Sequence, residues 1–170
     1  MKIFGITGWK NSGKTTLTEK LVTELTRRGL AVSTLKRAHC QAETDKPGTD
    51  SHRHREAGAR QVVLATPDRW ALMTELRGAP EPELRDLVAR LDPVDIVLVE
   101  GWKADPLPKI ECRRIDTATR PPMGQDSDWV RAYATDHPMP QDLAADRPVF
   151  GIDEVSAIAD FVLREAADAF

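Results

Sequence analysis

From residue 8 the chain reads Gly8-Trp9-Lys10-Asn11-Ser12-Gly13-Lys14-Thr15, which is a complete G-x-x-x-x-G-K-T sequence. An apolar run at residues 3–6 precedes it, and a stretch with helical spacing follows it. Glycine at positions 8 and 13 permits a tight turn and lets backbone N–H groups approach phosphate oxygens. The sequence therefore predicts a phosphate-binding loop for a nucleoside triphosphate accompanied by Mg2+.

The residues of this loop have separate predicted roles. Lys14 supplies a positive charge to the β- and γ-phosphates, and Thr15 offers its hydroxyl to the metal. The unpaired N–H groups and the positive dipole at the start of the following helix also favour an anion. The predicted binding residues are Gly8, Trp9, Lys10, Asn11, Ser12, Gly13, Lys14, Thr15 and Thr16.

Length and composition narrow the class of protein. A chain of 170 residues suits a single domain over residues 1–170. Its net charge of -3 argues against nucleic acid as a partner. Cys40 and Cys112 are far apart, which fits a reducing compartment, and no apolar run is long enough for a membrane span or a secretory signal. We therefore expect a cytoplasmic protein with no membrane partner.

Hydrophobic periodicity predicts the order of helices and strands. Leu17, Leu21, Val22 and Leu25 recur at helical spacing, and Gly29 marks the end of that helix. Further helices are predicted at 51–57, 81–91 and 155–167, and further strands at 30–35, 61–65, 70–73, 95–101, 108–112 and 130–134. This alternation predicts an α/β fold of the P-loop NTPase type, a mostly parallel sheet with helices on both faces.

Glu100 ends the most apolar of these strands, which is predicted to be central and buried. Ligands of open α/β sheets lie outside the carboxyl ends of the strands, and Mg2+ prefers oxygen ligands. Glu100 is therefore the first candidate, together with Thr15, for a metal ligand. The alternative is an ordinary glutamate at a strand end.

The segment after the second strand carries two acidic candidates. Asp45 and Asp50 belong to Asp45-Lys46-Pro47-Gly48-Thr49-Asp50-Ser51, a connection long enough to reach a γ-phosphate. Either residue is a candidate catalytic group that orients the attacking water. Asp50 also stands where the next helix needs an N-terminal cap, and both roles remain open.

Several cations and aromatic residues adjoin the predicted site. Lys36, at the end of the second strand, is a candidate phosphate ligand together with Arg37. Further candidates for this basic surface are Arg60, Arg113 and Arg114. A second group is interpreted either as a weak transition-metal site or as a surface that faces an anion, and it consists of His39, Cys40, His52 and His54. Trp9 and Trp102 each follow a glycine, and each is predicted either to cover the site or to pack beneath a loop.

The combination of motifs resembles the MobB family of molybdopterin-guanine dinucleotide biosynthesis adaptor proteins. The resemblance rests on the phosphate loop, on Val99-Glu100-Gly101-Trp102-Lys103, and on the Asp45 to Ser51 segment with its continuation through Ala59. It implies a GTP-binding homodimer with weak GTPase activity. It also implies a partner, the MobA-like molybdenum cofactor guanylyltransferase that joins GMP to molybdopterin, and leaves open whether molybdopterin contacts this chain.

Base recognition is less directly encoded. The chain has no N-K-x-D sequence, and Asp136 is the candidate that would accept hydrogen bonds from the guanine edge. A turn aspartate before His137-Pro138 is the equal alternative. Two rival functions are a small-molecule kinase, for which no arginine-bearing lid is evident, and a binding module in which nucleotide occupancy matters but turnover does not.

Overall fold

The computed structural model describes residues 1–38, 45–141, 143 and 146–170. His39 and Cys40 therefore lie outside the described residues. The backbone forms two compact units: unit 1 comprises residues 1–37 and 84–170, and unit 2 comprises residues 38–83. The single domain expected over residues 1–170 stays a prediction.

The secondary structure follows the predicted order. In chain order the strands are β1 (Lys2–Thr7), β2 (Val32–Lys36), β3 (Gln61–Ala65), β4 (Trp70–Thr74), β5 (Ile96–Glu100), β6 (Lys109–Arg113), β7 (Val130–Thr135), β8 (Val149–Gly151) and β9 (Ala167–Asp168). The α-helices of the described residues are α1 (Lys14–Arg27), α2 (Asp50–Glu56), α3 (Leu84–Val88) and α4 (Val155–Glu165).

A mostly parallel sheet forms the centre of unit 1. Its strand order in the described residues is β2-β5-β1-β6-β7-β8, with every neighbouring pair parallel, and β9 runs antiparallel beside β1. All five residues of β5 are buried, as expected for a central apolar strand. The carboxyl ends of β1, β2, β5, β6 and β7 consequently lie along one edge of the sheet.

Helices cover both faces of this sheet, which confirms the predicted fold class. The apolar stripe of α1, including Leu17 and Leu21, packs with α4 against one face, which contains Phe4 and Ile6. Ile3 points to the other face and packs with Leu84 and Val88 of α3. Alternate residues of β1 therefore contribute to two hydrophobic cores.

Unit 2 contains α2, β3 and β4 in the predicted order, and its two strands form a sheet of their own. Its β3 and β4 pair antiparallel in a separate two-stranded sheet, with Gln61 opposite Thr74 and Ala65 opposite Trp70. Only four residues separate these strands, and such a short connection can join antiparallel strands but not parallel ones. The positions of both strands were predicted, and their pairing in a separate sheet was not.

Other differences concern element boundaries. The helix predicted over 81–91 is shorter in the structure, where α3 spans Leu84–Val88. Pro82 accounts for the exclusion of Glu81, because the residue before a proline is disfavoured in helical conformation. The two short strands β8 and β9 were not predicted, since three and two residues are too few to show a period. In the described parts of the chain, no helix combines the length and apolar character needed to cross a membrane.

Candidate functional site

The loop of residues 8–15 connects the end of β1 to the start of α1. Gly8 and Gly13 have φ angles of 142° and 89°, which side chains rarely adopt. A Cβ atom on Gly8 would lie 2.5 Å from the carbonyl oxygen of Cys112, and one on Gly13 would lie 2.8 Å from Nε of Arg114. Both glycines are therefore required by backbone conformation and by space.

The Lys14 ammonium closes the loop on itself. Its Nζ donates to the carbonyl oxygen of Trp9 at 2.7 Å, and the backbone N–H of Ser12 donates to the same oxygen at 3.2 Å. Burial lowers the pKa of Lys14, although Glu100 acts in the opposite direction. The ammonium thus has a neutral hydrogen-bond partner and no carboxylate in direct contact among the described residues, so an anion placed there would stabilise its charge.

Two more features of the loop fit an anionic ligand. The Ser12 side chain is 1% exposed, and its hydroxyl has no hydrogen-bond partner among the described residues. The helix that follows begins at Lys14, and its N-cap residue, Gly13, provides no side-chain cap. The first N–H groups of a helix have no intrahelical acceptor, so they and the Ser12 hydroxyl are donors suited to phosphate oxygens.

Three side chains meet at the adjoining edge of the sheet. The Thr15 hydroxyl donates to Oε1 of Glu100 at 3.1 Å, and Nζ of Lys36 donates to Oγ1 of Thr15 at 3.1 Å. Lys36 also lies 3.6 Å from the Glu100 carboxylate, which is almost completely buried. The Lys36 ammonium thus contacts both residues that are predicted as magnesium ligands.

The remaining predicted loop residues surround this arrangement. Lys10 and Thr16 are exposed, and Asn11 adopts a φ of 66° in the turn. Among the described residues, their side chains form no hydrogen bond. In a loop of this type the backbone N–H groups bind the phosphate, so these three residues remain candidates through their backbone.

Asp136 follows β7 and lines a cavity of about 490 Å3. Its carboxylate accepts the backbone N–H of Ile115 at 2.8 Å and lies 3.6 Å from Nη1 of Arg114. Burial opposes ionisation, but hydrogen bonds from His137 and Ile115 together with the Arg114 charge outweigh it and lower the pKa of Asp136. The carboxylate is therefore ionised and fixed in the turn, as the alternative interpretation required, and it also borders a cavity.

That cavity adjoins the phosphate loop. Ile152 lines it, and a Cβ on Gly13 would lie only 3.1 Å from Cδ1 of Ile152. Arg114, which approaches Gly13 on the same side, connects the loop with Asp136. A nucleotide whose phosphates occupy the loop would thus have a neighbouring pocket for its base.

The two tryptophans lie in different environments. Trp102 is 8% exposed and packs in the hydrophobic cluster of α3, whereas the indole N–H of Trp9 donates to the carbonyl oxygen of Pro121 at 2.9 Å.

Arg113 is not part of a basic surface, because it is 4% exposed and pairs with the buried Glu111 at 3.0 Å. The sequence pattern could not have indicated this, because polar and apolar residues alternate along β6 and predict a polar exposed face, whereas all of residues 109–113 are buried.

The acidic candidates of the long connection belong to unit 2. The Asp45 carboxylate accepts from Oγ1 of Thr49 at 3.1 Å, and a hydrogen bond from Ser51 is the largest of the effects that lower the pKa of Asp45. Asp50 is 92% exposed and is the first residue of α2, so the N-cap is Thr49 and the predicted capping position of Asp50 is wrong by one residue. The catalytic role of both residues stays a prediction.

His52 and His54 lie in α2, and Arg60 follows that helix in unit 2. Outside residues 39–44, 142, 144 and 145, no three His, Cys, Asp or Glu side chains are grouped closely enough to hold a metal ion. The transition-metal interpretation thus has no support in the part of the chain that can be described.

The parallel sheet, the glycine loop between β1 and α1, and the Thr15–Glu100 contact define a P-loop nucleotide-binding protein. A model of the family described as "MobB: Molybdopterin guanine dinucleotide synthesis protein B" matches residues 3–136. The chain belongs to the MobB family.

Relatives and solved structures agree with this membership. A molybdopterin-guanine dinucleotide biosynthesis adapter protein of Haemophilus influenzae is 42% identical, with 94% of this chain and 86% of the relative covered. The Escherichia coli protein of the same name is 37% identical over 95% of this chain and 91% of its own. A MobB homolog from Bacillus stearothermophilus has 27% identity and a TM-score of 0.68, with 96% of each chain covered. Bacillus subtilis MobB, at 22% identity and a TM-score of 0.74 over 98% of this chain and 99% of its own, shows the same fold.

Proposed function

We propose that this protein is a GTP-binding adapter with weak GTPase activity that assists attachment of GMP to molybdopterin. The observation that carries the proposal is the contact set of Lys14, Thr15, Glu100 and Lys36, which combines a phosphate cradle with two oxygen ligands for Mg2+. Family membership and the names of the relatives support the pathway.

The phosphate loop would hold the nucleotide by charge and by backbone donors. Lys14 would exchange its bond to the Trp9 carbonyl for bonds to phosphate oxygens, while the Ser12 hydroxyl and the N–H groups at the start of α1 would supply further donors. Bound Mg2+ neutralises phosphate charge. Thr15 and Glu100 would hold it directly or through water, and Lys36 would be released from these oxygens toward the phosphates.

Guanine recognition is assigned to Asp136 and its cavity. An ionised carboxylate accepts from the N1 and N2 donors of guanine, a pair that adenine lacks. Replacing Asp136 by Asn keeps an acceptor for the Ile115 N–H and removes the charge. We expect this variant to lose most of the preference for GTP over ATP, and inosine triphosphate, which lacks the 2-amino group, to bind the wild-type protein more weakly than GTP does.

The decisive experiment is calorimetric titration of GTP and ATP in Mg2+, with Lys14→Ala and Lys20→Ala compared with the wild type. A charge-assisted hydrogen bond contributes about 1.5–3 kcal/mol, so Lys14→Ala should weaken GTP binding at least about tenfold. Lys20 belongs to the same helix but pairs with Asp153, and its variant should bind normally. Equal affinity in all three proteins, or a preference for ATP, would contradict the proposal.

Hydrolysis and partner activation can be separated by variants in unit 2. If Asp45 or Asp50 orients water, Asp45→Asn or Asp50→Asn should slow single-turnover GTP hydrolysis and leave GTP affinity unchanged. Thr49→Val is the control for Asp45, because it removes the loop hydrogen bond and keeps the carboxylate. Co-purification with the guanylyltransferase and stimulation of its product formation test the partner. Transfer of phosphate to a metabolite faster than to water would instead establish a kinase.

We also propose that the protein is a homodimer and that the β3–β4 hairpin forms the contact. The hairpin exposes large apolar side chains, with Trp70 68% and Val63 61% accessible. A two-stranded sheet is marginally stable alone, and exposed apolar groups of this size are typical of interaction surfaces.

A further inference from the structure

A second cavity, of about 350 Å3, adjoins the phosphate loop in unit 1. Its apolar lining includes Trp9, Pro122, Met123 and Val130. Of the predicted binding residues 8–16, only Trp9 is among its described lining residues. The cavity shares no described lining residue with the Asp136 cavity, and it is large enough for a fused bicyclic ring.

Cations predominate around the cavity. Lys103 and Lys109 line it with one acid, Asp126. Nζ of Lys103 lies 4.8 Å, and Cζ of Arg120 5.3 Å, from the centre of the Trp9 ring. Cations at this distance interact with the ring face. An anionic group entering the cavity would meet these charges beside an aromatic surface.

Lys109 adds a buried charge to the wall. It is 2% exposed, and its ammonium donates to the carbonyl oxygens of Trp102, Lys103 and Asp105 at 2.8–3.0 Å. These neutral acceptors satisfy its hydrogen bonds but do not neutralise its charge. Burial lowers the pKa of Lys109, and the negative charge of Asp105 opposes this change only in part. An anionic group of a ligand in the cavity would offset the positive charge of Lys109.

A buried hydroxyl with a weak hydrogen-bond partner also faces this cavity. Thr7, at the end of β1, is 3% exposed and lines the same cavity. Its hydroxyl donates to Sδ of Met123 at 3.4 Å, and a thioether is a weak acceptor. The hydroxyl would form a stronger hydrogen bond with a ring nitrogen or carbonyl oxygen of a ligand.

We propose that this cavity, defined by Thr7, Trp9, Lys103 and Met123, binds a planar fused heterocycle that carries an anionic group. Trp9 and Met123 would contact the ring, Thr7 would bind a heteroatom at its edge, and Lys103 would pair with the anion. Two sources share this chemistry, a pterin with an acidic substituent and a purine nucleotide. The inference extends the proposed function by a second ligand and rests on it only for the choice of these two probes.

The test is fluorescence anisotropy of pterin-6-carboxylate, with GMP as the second probe by calorimetry, both in Mg2+ and saturating inorganic triphosphate, which supplies anions to the phosphate loop but no heterocycle to the cavity. We expect saturable binding of at least one probe and a loss of at least tenfold in Ala104→Trp, which fills the cavity, and in Lys103→Glu, which reverses the rim charge. Arg90→Glu, an equal charge change on the exposed surface, should bind like the wild type. The probe that binds identifies the source.

Two results would overturn the inference: no saturable binding of either probe, or binding that Ala104→Trp leaves unchanged. Circular dichroism checks that Ala104→Trp is folded, and the exposed Lys103→Glu provides the second, surface variant. The GTP titration of the wild-type protein is read separately. Failure of GTP binding would contradict the proposed function, whereas intact GTP binding without probe binding would contradict only the cavity ligand.

Discussion

The Thr15 hydroxyl donates to the Glu100 carboxylate across 3.1 Å, although 85 positions separate the two residues. The contact exists because β1 and β5 are parallel neighbours, with Ile6 opposite Glu100. The loop that leaves β1 therefore begins beside the end of β5. The order of strands in the sheet thus brings together the two oxygens that are predicted to bind a divalent cation.

Glu100→Gln should uncouple nucleotide binding from magnesium. The amide keeps the size of the carboxylate and can accept the Thr15 hydrogen bond, but it lacks the charge that favours Mg2+. We expect GTP affinity in Mg2+ to fall about 10- to 100-fold, to nearly the value measured in EDTA, as for a lost charge-assisted contact. Calorimetry with and without Mg2+ measures this.

The control for that variant is Glu111→Gln on the next strand. Glu111 is also buried, but it pairs with Arg113 and accepts the Gly124 N–H. This substitution should lower the free energy of unfolding and leave the magnesium dependence of GTP binding intact. An undiminished magnesium effect in Glu100→Gln would exclude Glu100 as a ligand.

Gly8→Ala should destabilise the protein more than Gly29→Ala does. Both positions have positive φ, which costs a non-glycine residue about 1–2 kcal/mol. At Gly29 a Cβ would meet nothing within 4 Å, whereas at Gly8 it would lie 2.5 Å from the Cys112 carbonyl. We expect a loss of about 1 kcal/mol for Gly29→Ala and at least about 2 kcal/mol for Gly8→Ala in urea unfolding. Equal losses would show that backbone strain alone decides.

Sequence predicted the parts of this molecule that depend on local pattern. The glycine loop, helix α1 and the buried strand β5 each carry a strong signal within a dozen residues. The position of Glu100 at a strand end followed from the same reasoning. The pairing of β3 and β4 in a separate sheet was not predicted, although the four-residue connection between the predicted strands already favours an antiparallel hairpin.

Contacts that follow no helix or strand period account for the rest. The buried Arg113 donates to Glu111 and to the carbonyl oxygens of Ala118 and Arg120, which lie two, five and seven positions away. The bond between the Trp9 indole and the Pro121 carbonyl spans 112 positions. The sequence pattern shows neither set of contacts, so it does not predict the cavity that Trp9 and Pro121 line.

Trp70→Glu should convert the proposed homodimer into a monomer. The carboxylate of Glu at position 70 would lose its hydration in the interface, and burial of an unpaired charge is unfavourable in free energy. Trp129→Glu is the matched control, because Trp129 is 40% exposed but belongs to unit 1. Sedimentation equilibrium should give a dimer for the wild type and Trp129→Glu and a monomer for Trp70→Glu. A wild-type monomer would contradict the proposed dimer, and dimeric Trp70→Glu would contradict the hairpin as its contact.

Lys109 should make the stability of the protein depend on alkaline pH. Burial lowers the pKa of its ammonium from 10.5 to about 8, although Asp105 opposes the change. Between these values the unfolded chain holds a proton that the folded protein has released, so the free energy of unfolding rises with pH. The comparison is with Lys109→Met. Ionisation of the other groups affects both proteins equally, so the difference between them reports Lys109. The wild type should gain about 1–3 kcal/mol relative to the variant between about pH 8 and about pH 10.5. Urea unfolding across this range measures the difference, and a constant difference would mean that Lys109 keeps an ordinary pKa in the folded protein.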